Sequence, residues 1–478
     1  MIASLRRAAH TLAYIMGFSA CLCSAAVAHE PDPPATTVFS LPAAVDFALA
    51  HYPAVRSALE QLAAARAGVG VARTAYLPHL DLLWQENRGT RNNISGVLLP
   101  QPVVPAISGP VLDETSWRSV WGSAAGGLLS WEPFDFGLRQ ANVDLARALT
   151  QQASAGLDVT RLDAATTAAD AFIAVVAAEQ AVRAAQANVD RLHVFVDSVH
   201  TLVHQQLRPG ADAARADAEL AAATNQLIRT QEAVDVNRAT LAETLGIAGT
   251  PVTVEAGPLL TLPASPPPPA PDFSAHPQAL AEAAAVDAIR ARERVLDRTY
   301  YPHVNLQADV YGRGSGALAD GRLEGGTSGL RPDVGNWISG VSVSFPMFDI
   351  VQLRARRQVE AHNEAAKQAD YEQTRQELHG QYARAQALVD GAQRIAENTP
   401  VELSAARQAE AQARARYQAA LASITEVAEA QRLLAQAETD DALARLGVWR
   451  AQLIAARVRG DLTSFLQALN AAAPAGGP

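Results

Sequence analysis

Two acidic side chains, Glu426 and Glu429, are the first candidates for a chemical role. They lie three positions apart in a segment rich in Ala, Gln, Leu and Arg, residue types that favour a helix. At this spacing both carboxylates lie on one face of the helix. Two carboxylates on one face attract cations. An ordinary solvated helix face would carry the same residues, so the sequence alone leaves both interpretations open.

Three histidines form the second candidate group. His193, His200 and His204 follow one another at spacings of seven and four, which places them on one side of a helix. Imidazoles on one helical face can bind zinc or copper. Polar packing between helices is the favoured interpretation. We therefore expect no metal, and the three histidines are weak candidates only.

No residue pattern typical of an enzyme is found. The sequence has no nucleophile elbow, no His-Glu-x-x-His motif and no phosphate-binding loop. Its formal net charge is −10, and its arginines are scattered among acidic residues instead of forming a basic patch. We expect neither catalysis nor a cofactor, and no nucleic-acid partner.

Long helices must position the candidate residues. Between 137 and 205 there is no proline, and Ala, Leu, Gln, Glu and Arg predominate. One helix over this range would be about 100 Å long, far more than a globular core requires. Alanine fills many positions where larger core residues would be usual, which lets helices approach closely. A solvated coiled coil is one interpretation of this segment, and the flanking segments argue for another.

The second half of the chain repeats the first. Phe134, Leu207, Asp212 and Gly246 recur as Phe348, Leu421, Glu426 and Gly460, all at an offset of 214 residues. Tyr52-Pro53 and Tyr76 recur as His276-Pro277 and Tyr300 at an offset of 224. A constant offset predicts two copies of one structural unit. The change of ten residues falls between the predicted strands, where exposed loops tolerate it.

Two segments in each copy alternate between apolar and polar residues, as strands do. Ranges 80–85 and 304–311 show the pattern, and returning strands are predicted at 119–131 and 341–345. Strands of about ten residues suit a tilted bilayer crossing. A soluble sandwich would show the same alternation. Four strands are too few to close a membrane barrel, so neighbouring subunits would have to supply more.

The N-terminal segment has the features of a secretory signal. It carries two arginines, an apolar stretch and a small-x-small cleavage site, which predicts a signal peptide at 1–28. Both cysteines, Cys21 and Cys23, fall inside it, so the mature chain would have no thiol. Lipid attachment at Cys21 is left open. The predicted units are 29–249 and 273–466, separated by a Pro-rich linker at 250–272 and followed by a disordered tail at 467–478.

The order and double occurrence of several motifs resemble the outer-membrane efflux proteins of the TolC family. These motifs are YLPHL at 76–80 with YPHV at 301–304, PFDFG at 133–137 with PMFD at 346–349, QLRPGAD at 206–212 with ARADAEL at 214–220, and YQAALASITEV at 417–427. The resemblance implies a mainly α fold with a small membrane β part. It also implies a homotrimer in which four strands per protomer form a 12-stranded β-barrel in outer-membrane lipid, continuous with a periplasmic α-barrel.

The resemblance further implies roles for individual residues. Glu426 and Glu429 would line the narrow periplasmic entrance as a gate and selectivity ring. Asp212 and Tyr417 match positions that link the helical hairpins.

The hairpin tips depart from the family's pattern. Leu207 and Leu421 would be adaptor-docking residues, but QQL and AAL stand where the family often has Val-Gly-Leu or Val-Gly-Thr. Ala422 replaces a gating arginine, and Arg208 is its candidate substitute. The identity of the adaptor therefore stays open.

These inferences predict a passive exit duct for small molecules or peptides. The resemblance implies that an inner-membrane pump drives it through a periplasmic adaptor. The alternative is a soluble periplasmic coiled-coil adaptor or scaffold, which would need no paired strands.

Overall fold

The computed structural model describes residues 37–90, 115–263, 272–318 and 322–472. The predicted signal peptide, with Cys21 and Cys23, lies outside the described residues. So do residues 91–114, which lie between two predicted strands, and the proline run of the predicted linker.

Helices make up most of the described chain. In chain order the elements are β1 (Thr37–Phe39), α1 (Leu41–His51), α2 (Pro53–Thr74), β2 (His79–Thr90), β3 (Ser119–Phe134), α3 (Leu138–His204), α4 (Gly210–Thr244), β4 (Val252–Val254), α5 (Pro277–Thr299), β5 (His303–Ser315), β6 (Val334–Ser344), α6 (Ile350–Gln418), α7 (Ile424–Arg459) and α8 (Thr463–Ala472). Short 3-10 turns span Gly257–Leu260 and Phe273–Ala275. The mainly α fold with a small β part is confirmed.

One sequence of elements occurs twice. A helix, two strands, a very long helix and a shorter helix follow one another as α2-β2-β3-α3-α4 and again as α5-β5-β6-α6-α7. The long helices α3 and α6 contain 67 and 69 residues, and their partners α4 and α7 contain 35 and 36. At 1.5 Å per residue, each long helix extends for about 100 Å. The proline-free range 137–205 predicted α3 almost to the residue.

The sheet has two chemically distinct faces. Its strands run antiparallel in the order β2-β3-β5-β6. Directly paired residues lie on the same face of the sheet. The strand register therefore places an apolar row of side chains on one face and a mixed row on the other. The apolar row includes Leu80, Leu82, Trp84, Leu129, Trp131, Leu306, Val310, Trp337, Val341 and Val343. The opposite row includes Asp81, Gln85, Ser130, Gln307, Asp309, Arg313, Asn336 and Ser342.

The strands are longer than the sequence indicated. They contain 12, 16, 13 and 11 residues instead of about ten each. Strand β3 continues past Trp131 to Phe134 because a register shift there accommodates Pro133, which lacks a ladder N–H. The strands also extend into the Gly-rich segment between the predicted strands, since β5 continues to Ser315 and β6 begins at Val334.

A tight turn joins β3 to α3. The Asp135 carboxylate accepts hydrogen bonds from the backbone N–H groups of Gly137 and Arg139, at 3.1 and 2.5 Å, and pairs with the Arg139 guanidinium at 2.9 Å. Burial by itself would raise the pKa of Asp135. The hydrogen bonds from Arg139 and Gly137 outweigh burial and lower that pKa. Phe136 and Gly137 have positive φ angles, so the chain reverses within two residues.

The main core lies where the ends of both repeats meet. Trp449 of α7 is fully buried there, and its indole N–H donates to the Thr261 carbonyl at 2.8 Å. Leu259 is buried in the same core. The predicted extended linker is therefore wrong for its first part, because β4 pairs with β1 and the turn at Gly257–Leu260 packs. Each buried Leu side chain contributes about 1.5 to 3 kcal/mol to folding.

The predicted disordered tail is also wrong for 467–472. Those residues belong to α8, which buries Phe465 and Leu469. The Phe465 ring packs edge-on against Trp449 at 5.9 Å. Leu466, Ala468 and Ala472 also pack against the core, so an apolar stripe holds this short helix in place.

The described part of the chain has one helix, α3, whose length and composition would allow a membrane crossing. The 18-residue apolar stretch of α3 that meets these criteria is 56% buried within the protein. Its apolar residues, among them Phe172 and Val175, belong to the main core. Core packing therefore accounts for the apolar character of α3.

Candidate gate at the helix-hairpin tips

The two hairpin turns have the same backbone geometry. In the first, the Leu207 N–H donates to the Leu202 carbonyl at 2.9 Å and Gln206 adopts φ 61°. In the second, the Leu421 N–H donates to the Arg416 carbonyl at 2.8 Å and Ala420 also adopts φ 61°. This is a Schellman turn, in which glycine normally occupies the left-handed position. Here each tip has a side chain at that position.

Both predicted docking leucines are exposed. Leu207 is 64% exposed and Leu421 is 71% exposed, one at each tip. Exposed apolar residues at matched positions are available to a partner. Their role in adaptor docking stays a prediction.

Tyr417 lies in a small core between the hairpins. It is 1% exposed, at the last turn of α6. Its ring lies 5.8 Å from that of Phe195 on α3. The other buried members of this core are Val196, Val199, Ala213, Ala216, Ala422, Ile424 and Val427. Apolar side chains from both hairpins therefore hold the tips together.

A polar link crosses from one hairpin to the other. The Tyr417 hydroxyl donates to Oδ2 of Asp212, in the first turn of α4, at 3.0 Å. The Arg208 guanidinium lies 4.2 Å from the centroid of the Tyr417 ring and donates to the Tyr417 carbonyl. The structure therefore brings together the three residues predicted as a gate link.

The environment of Tyr417 keeps its hydroxyl protonated. Burial, followed by the hydrogen bond to the Asp212 carboxylate, raises the pKa of Tyr417 to about 12. A tyrosinate there would lose its donor proton and face a carboxylate. The link consequently persists through the neutral pH range.

Glu426 makes hydrogen bonds and an ion pair that were not predicted from the sequence. Its carboxylate accepts from the Ser423 N–H at 3.2 Å, and its own N–H donates to the Ser423 hydroxyl at 3.4 Å. It also pairs with Arg416 at 3.4 Å, with its side chain 48% exposed. The S-x-x-E pattern at 423–426 is the local signal of this capping box.

Glu429 is more exposed than Glu426. Its side chain is 73% exposed and pairs with Arg432, one turn further on, at 2.6 Å. Each of the two glutamates therefore has an arginine beside it. These partners, Arg416 and Arg432, reduce the net negative charge that the two glutamates would present to a cation.

The three histidines do not form a cluster. His200 Nε2 lies 2.9 Å from Asp217 Oδ1, and His193 lies 3.7 Å from Asp197. His204 occupies the last turn of α3. Across the described ranges, no group of three or more His, Cys, Asp or Glu side chains is arranged to hold a metal ion. Two of the three histidines, His193 and His200, lie beside aspartates instead.

Comparison with known proteins identifies related families and folds. The family described as "outer membrane efflux protein" matches residues 44–247 and 274–455, well over half of the chain. A comparison with curated protein sequences finds no match.

Several solved structures have a similar fold. The outer-membrane channel OprN is 21% identical, with 88% of this chain and 89% of that chain covered and a TM-score of 0.67. CusC is 15% identical over 88% and 92%, with a TM-score of 0.72. The open state of the Neisseria gonorrhoeae MtrE outer membrane channel is 18% identical over 88% and 89%, with a TM-score of 0.67.

Proposed function

Because the chain belongs to the outer membrane efflux protein family and is an outer-membrane protein with a periplasmic helical extension, we propose that it forms a passive exit duct for small molecules or peptides. A homotrimer would build the duct. An inner-membrane pump would drive export through a periplasmic adaptor docked at the exposed tip leucines, Leu207 and Leu421.

The observation that carries this proposal is the two-faced sheet with two free edges. Within the described residues, β2 and β6 each pair on one side only. An open edge in lipid leaves backbone N–H and C=O groups without partners, at several kcal/mol each. Three copies would pair β6 of one with β2 of the next and close a 12-stranded barrel, with the apolar row towards lipid and the mixed row lining the pore.

The same sheet argues against the rival, a soluble periplasmic scaffold. Leu82 and Trp84 are 84% and 67% exposed on the apolar face, in a row that continues across all four strands. A contiguous exposed apolar surface of this kind is unusual in a soluble monomer. Lipid is the environment that such a face suits.

The hairpin link would close the periplasmic end. A hydrogen bond to a charged acceptor contributes about 1.5 to 3 kcal/mol, and a cation–π contact adds about 0.5 to 2 kcal/mol. The Tyr417 and Arg208 contacts together would therefore favour the closed tip by a few kcal/mol in each protomer. An adaptor would need to offset that free energy to open the duct.

Glu426 and Glu429 would set the ion preference of the closed entrance. Threefold symmetry would place three copies of each around the axis. Since Arg416 and Arg432 lie beside them, we expect a moderate preference for cations over anions.

Purified full-length protein tests the proposal in two measurements. Light scattering in detergent should give the mass of three chains, and planar bilayers should record small, cation-preferring conductance. A monomer that gives no conductance, or recovery of the protein in the soluble periplasmic fraction, would overturn it.

A further inference from the structure

A cleft lies where the helices meet the sheet. Its volume is about 690 Å³, and it is lined by the start of α3, the end of α5 and the start of α6. The α5 residues that line it include Arg294 with Asp297 and Arg298, which lie three and four positions further on and so share its helical face. The hairpin tips lie at the other ends of α3 and α6. The cleft is thus separate from the candidate gate.

The charged side chains that line the cleft are mostly basic. They are Arg294, Arg298, Arg354, Arg357, Asp144 and Asp297. Both aspartates are already paired: Asp297 with Arg357 at 3.1 Å and Asp144 with Arg147 at 2.8 Å. The carboxylates therefore leave the remaining arginines of the cleft uncompensated.

Two arginines remain for a ligand. Arg298 donates to the Phe136 carbonyl at 3.5 Å and lies over the Tyr301 ring at 5.5 Å. For Arg294 and Arg354, no hydrogen bond or ion pair to any described residue is found. They face the cleft from different helices, one near the end of α5 and one at the start of α6. Two guanidinium groups that line one cleft can bind a phosphate, each through two N–H donors.

The cleft opens beside the apolar face of the sheet. Tyr300 lines the cleft, and its ring packs edge-on against Phe345 at 5.4 Å. Val341 and Val343 lie at alternate positions of β6 and Phe345 directly follows the strand; all three are exposed. An acyl chain could therefore extend along this row while its headgroup lies in the cleft.

We propose that the cleft binds the phosphate of an anionic phospholipid in the periplasmic leaflet, held by Arg294 and Arg354. The periplasmic direction of the helices places the cleft at the inner edge of the apolar belt, where phospholipid headgroups lie. Tyrosines at this level are typical of membrane interfaces. Basic pockets between helices beside a bilayer bind anionic headgroups in the same way. This inference rests on the membrane orientation of the sheet given in the proposed function, and lipid binding is measured separately from conductance.

Native mass spectrometry of the detergent-solubilised full-length protein tests the site, with phosphatidylglycerol as the added lipid. The test variant is Arg294→Gln with Arg354→Gln. The control variant is Arg215→Gln with Arg229→Gln, which removes two exposed arginines from α4, away from the sheet. At about 1 kcal/mol per arginine, the test variant should bind phosphatidylglycerol about thirtyfold more weakly. The control should bind it within a fewfold of the wild type. An Arg294→Lys, Arg354→Lys variant should have an intermediate affinity, because lysine keeps the charge but lacks the two-donor geometry of a guanidinium.

Three outcomes would overturn the proposal. The first is wild-type affinity in the test variant while it keeps the oligomeric mass of the parent. The second is an equal loss in the control, which would indicate a general charge effect. The third is full displacement of the lipid by millimolar inorganic phosphate, which would identify a site for a free anion instead.

Discussion

The Tyr417 hydroxyl and the Asp212 carboxylate, 3.0 Å apart, join the second helical hairpin to the first. The two residues lie at the ends of different hairpins, next to the turns that form the tips. A bond at this place would resist separation of the hairpins. It is therefore the first target for mutation.

Removing the Tyr417 hydroxyl should favour the open duct. Tyr417→Phe keeps the ring in the apolar core but loses a hydrogen bond to a charged acceptor, about 1.5 to 3 kcal/mol per protomer. The open fraction should rise by at least tenfold, measured as conductance in planar bilayers. Tyr382→Phe in the same helix is the matched control, since among the described residues its hydroxyl bonds to Gln386 of α6 alone. Conductance unchanged from the wild type would remove the link from the gate.

High pH should open the same link without a mutation. Tyr417 has a pKa of about 12 in the folded state, above the value of about 10 of an exposed tyrosine. A raised pKa means that folding favours the protonated form, so its contribution is complete below about pH 10 and is lost as the pH rises towards 12. Conductance should increase over this interval in the wild type and stay level in Tyr417→Phe. The difference in tyrosinate absorbance between the two proteins should titrate near pH 12, and a midpoint near 10 would contradict the buried link.

Glu429 offers the cleaner test of cation preference. Glu429→Gln removes one carboxylate from each protomer at a site away from the capping box. Glu426→Gln keeps the capping-box acceptor but loses the ion pair with Arg416 and the negative charge in the first turn of α7, at about 0.3 to 1 kcal/mol. We expect Glu429→Gln to weaken block by polyvalent cations in bilayers, and the double variant to weaken it further. Glu232→Gln, an exposed acid on α4, is the control. If polyvalent cations block the conductance of the double variant at the same concentrations as in the wild type, neither residue lines the entrance.

Glycine at the hairpin tips should stabilise them. Gln206 and Ala420 adopt φ 61°, where an L side chain costs about 1 to 2 kcal/mol. Replacing either with Gly removes that strain, and the lost chain entropy offsets part of the gain, leaving about 0.5 to 1 kcal/mol. Amide hydrogen exchange at the tips should slow in both variants. Gln205→Gly is the control, because Gln205 has a φ of −80° and no strain to relieve, so this change has only the entropy cost. Amide hydrogen exchange at the first tip should become faster in this variant, and slower exchange would contradict the strain argument.

The tips also indicate why some features followed from sequence and others did not. The length of α3 follows from local propensity, because the range contains no proline. The capping box of Ser423 and Glu426 is equally local, and its S-x-x-E pattern was available to sequence reasoning. The contact between Tyr417 and Asp212 joins residues 205 positions apart. No propensity encodes such a contact, so only the family resemblance pointed to it.

The predictions for the linker before the second repeat and for the tail after it were wrong for the same reason. The linker and the tail are rich in Pro, Ala and Gly, a composition typical of extended or disordered chain. Leu259 and Leu469 nevertheless pack into the core that contains Trp449. A few apolar residues are enough when a large buried aromatic side chain is within reach, and composition averaged over a segment does not record them.

Mild acid should weaken the start of the second repeat through His276. Its Nδ1 accepts from the Gln278 N–H at 3.2 Å, capping α5, and its Nε2–H donates to the Arg457 carbonyl at 3.2 Å. Burial lowers the pKa of His276 and outweighs the hydrogen bond to the Arg457 carbonyl, which raises it. The Arg457 charge lowers this pKa further, and Asp163 opposes it. Because the folded state favours neutral imidazole, the contribution is complete above about pH 6.5 and is lost as the pH falls.

The melting temperature of the wild type should therefore drop between pH 7 and pH 5. His276→Asn can keep the cap to the Gln278 N–H but is too short to reach the Arg457 carbonyl, so it should be less stable than the wild type at pH 7. Because Asn cannot titrate, its melting temperature should depend less on pH across this interval. His362→Asn, an exposed histidine on α6, should follow the wild type. A wild-type slope that persists in His276→Asn would assign the acid sensitivity to another group and leave His276 as a structural cap alone.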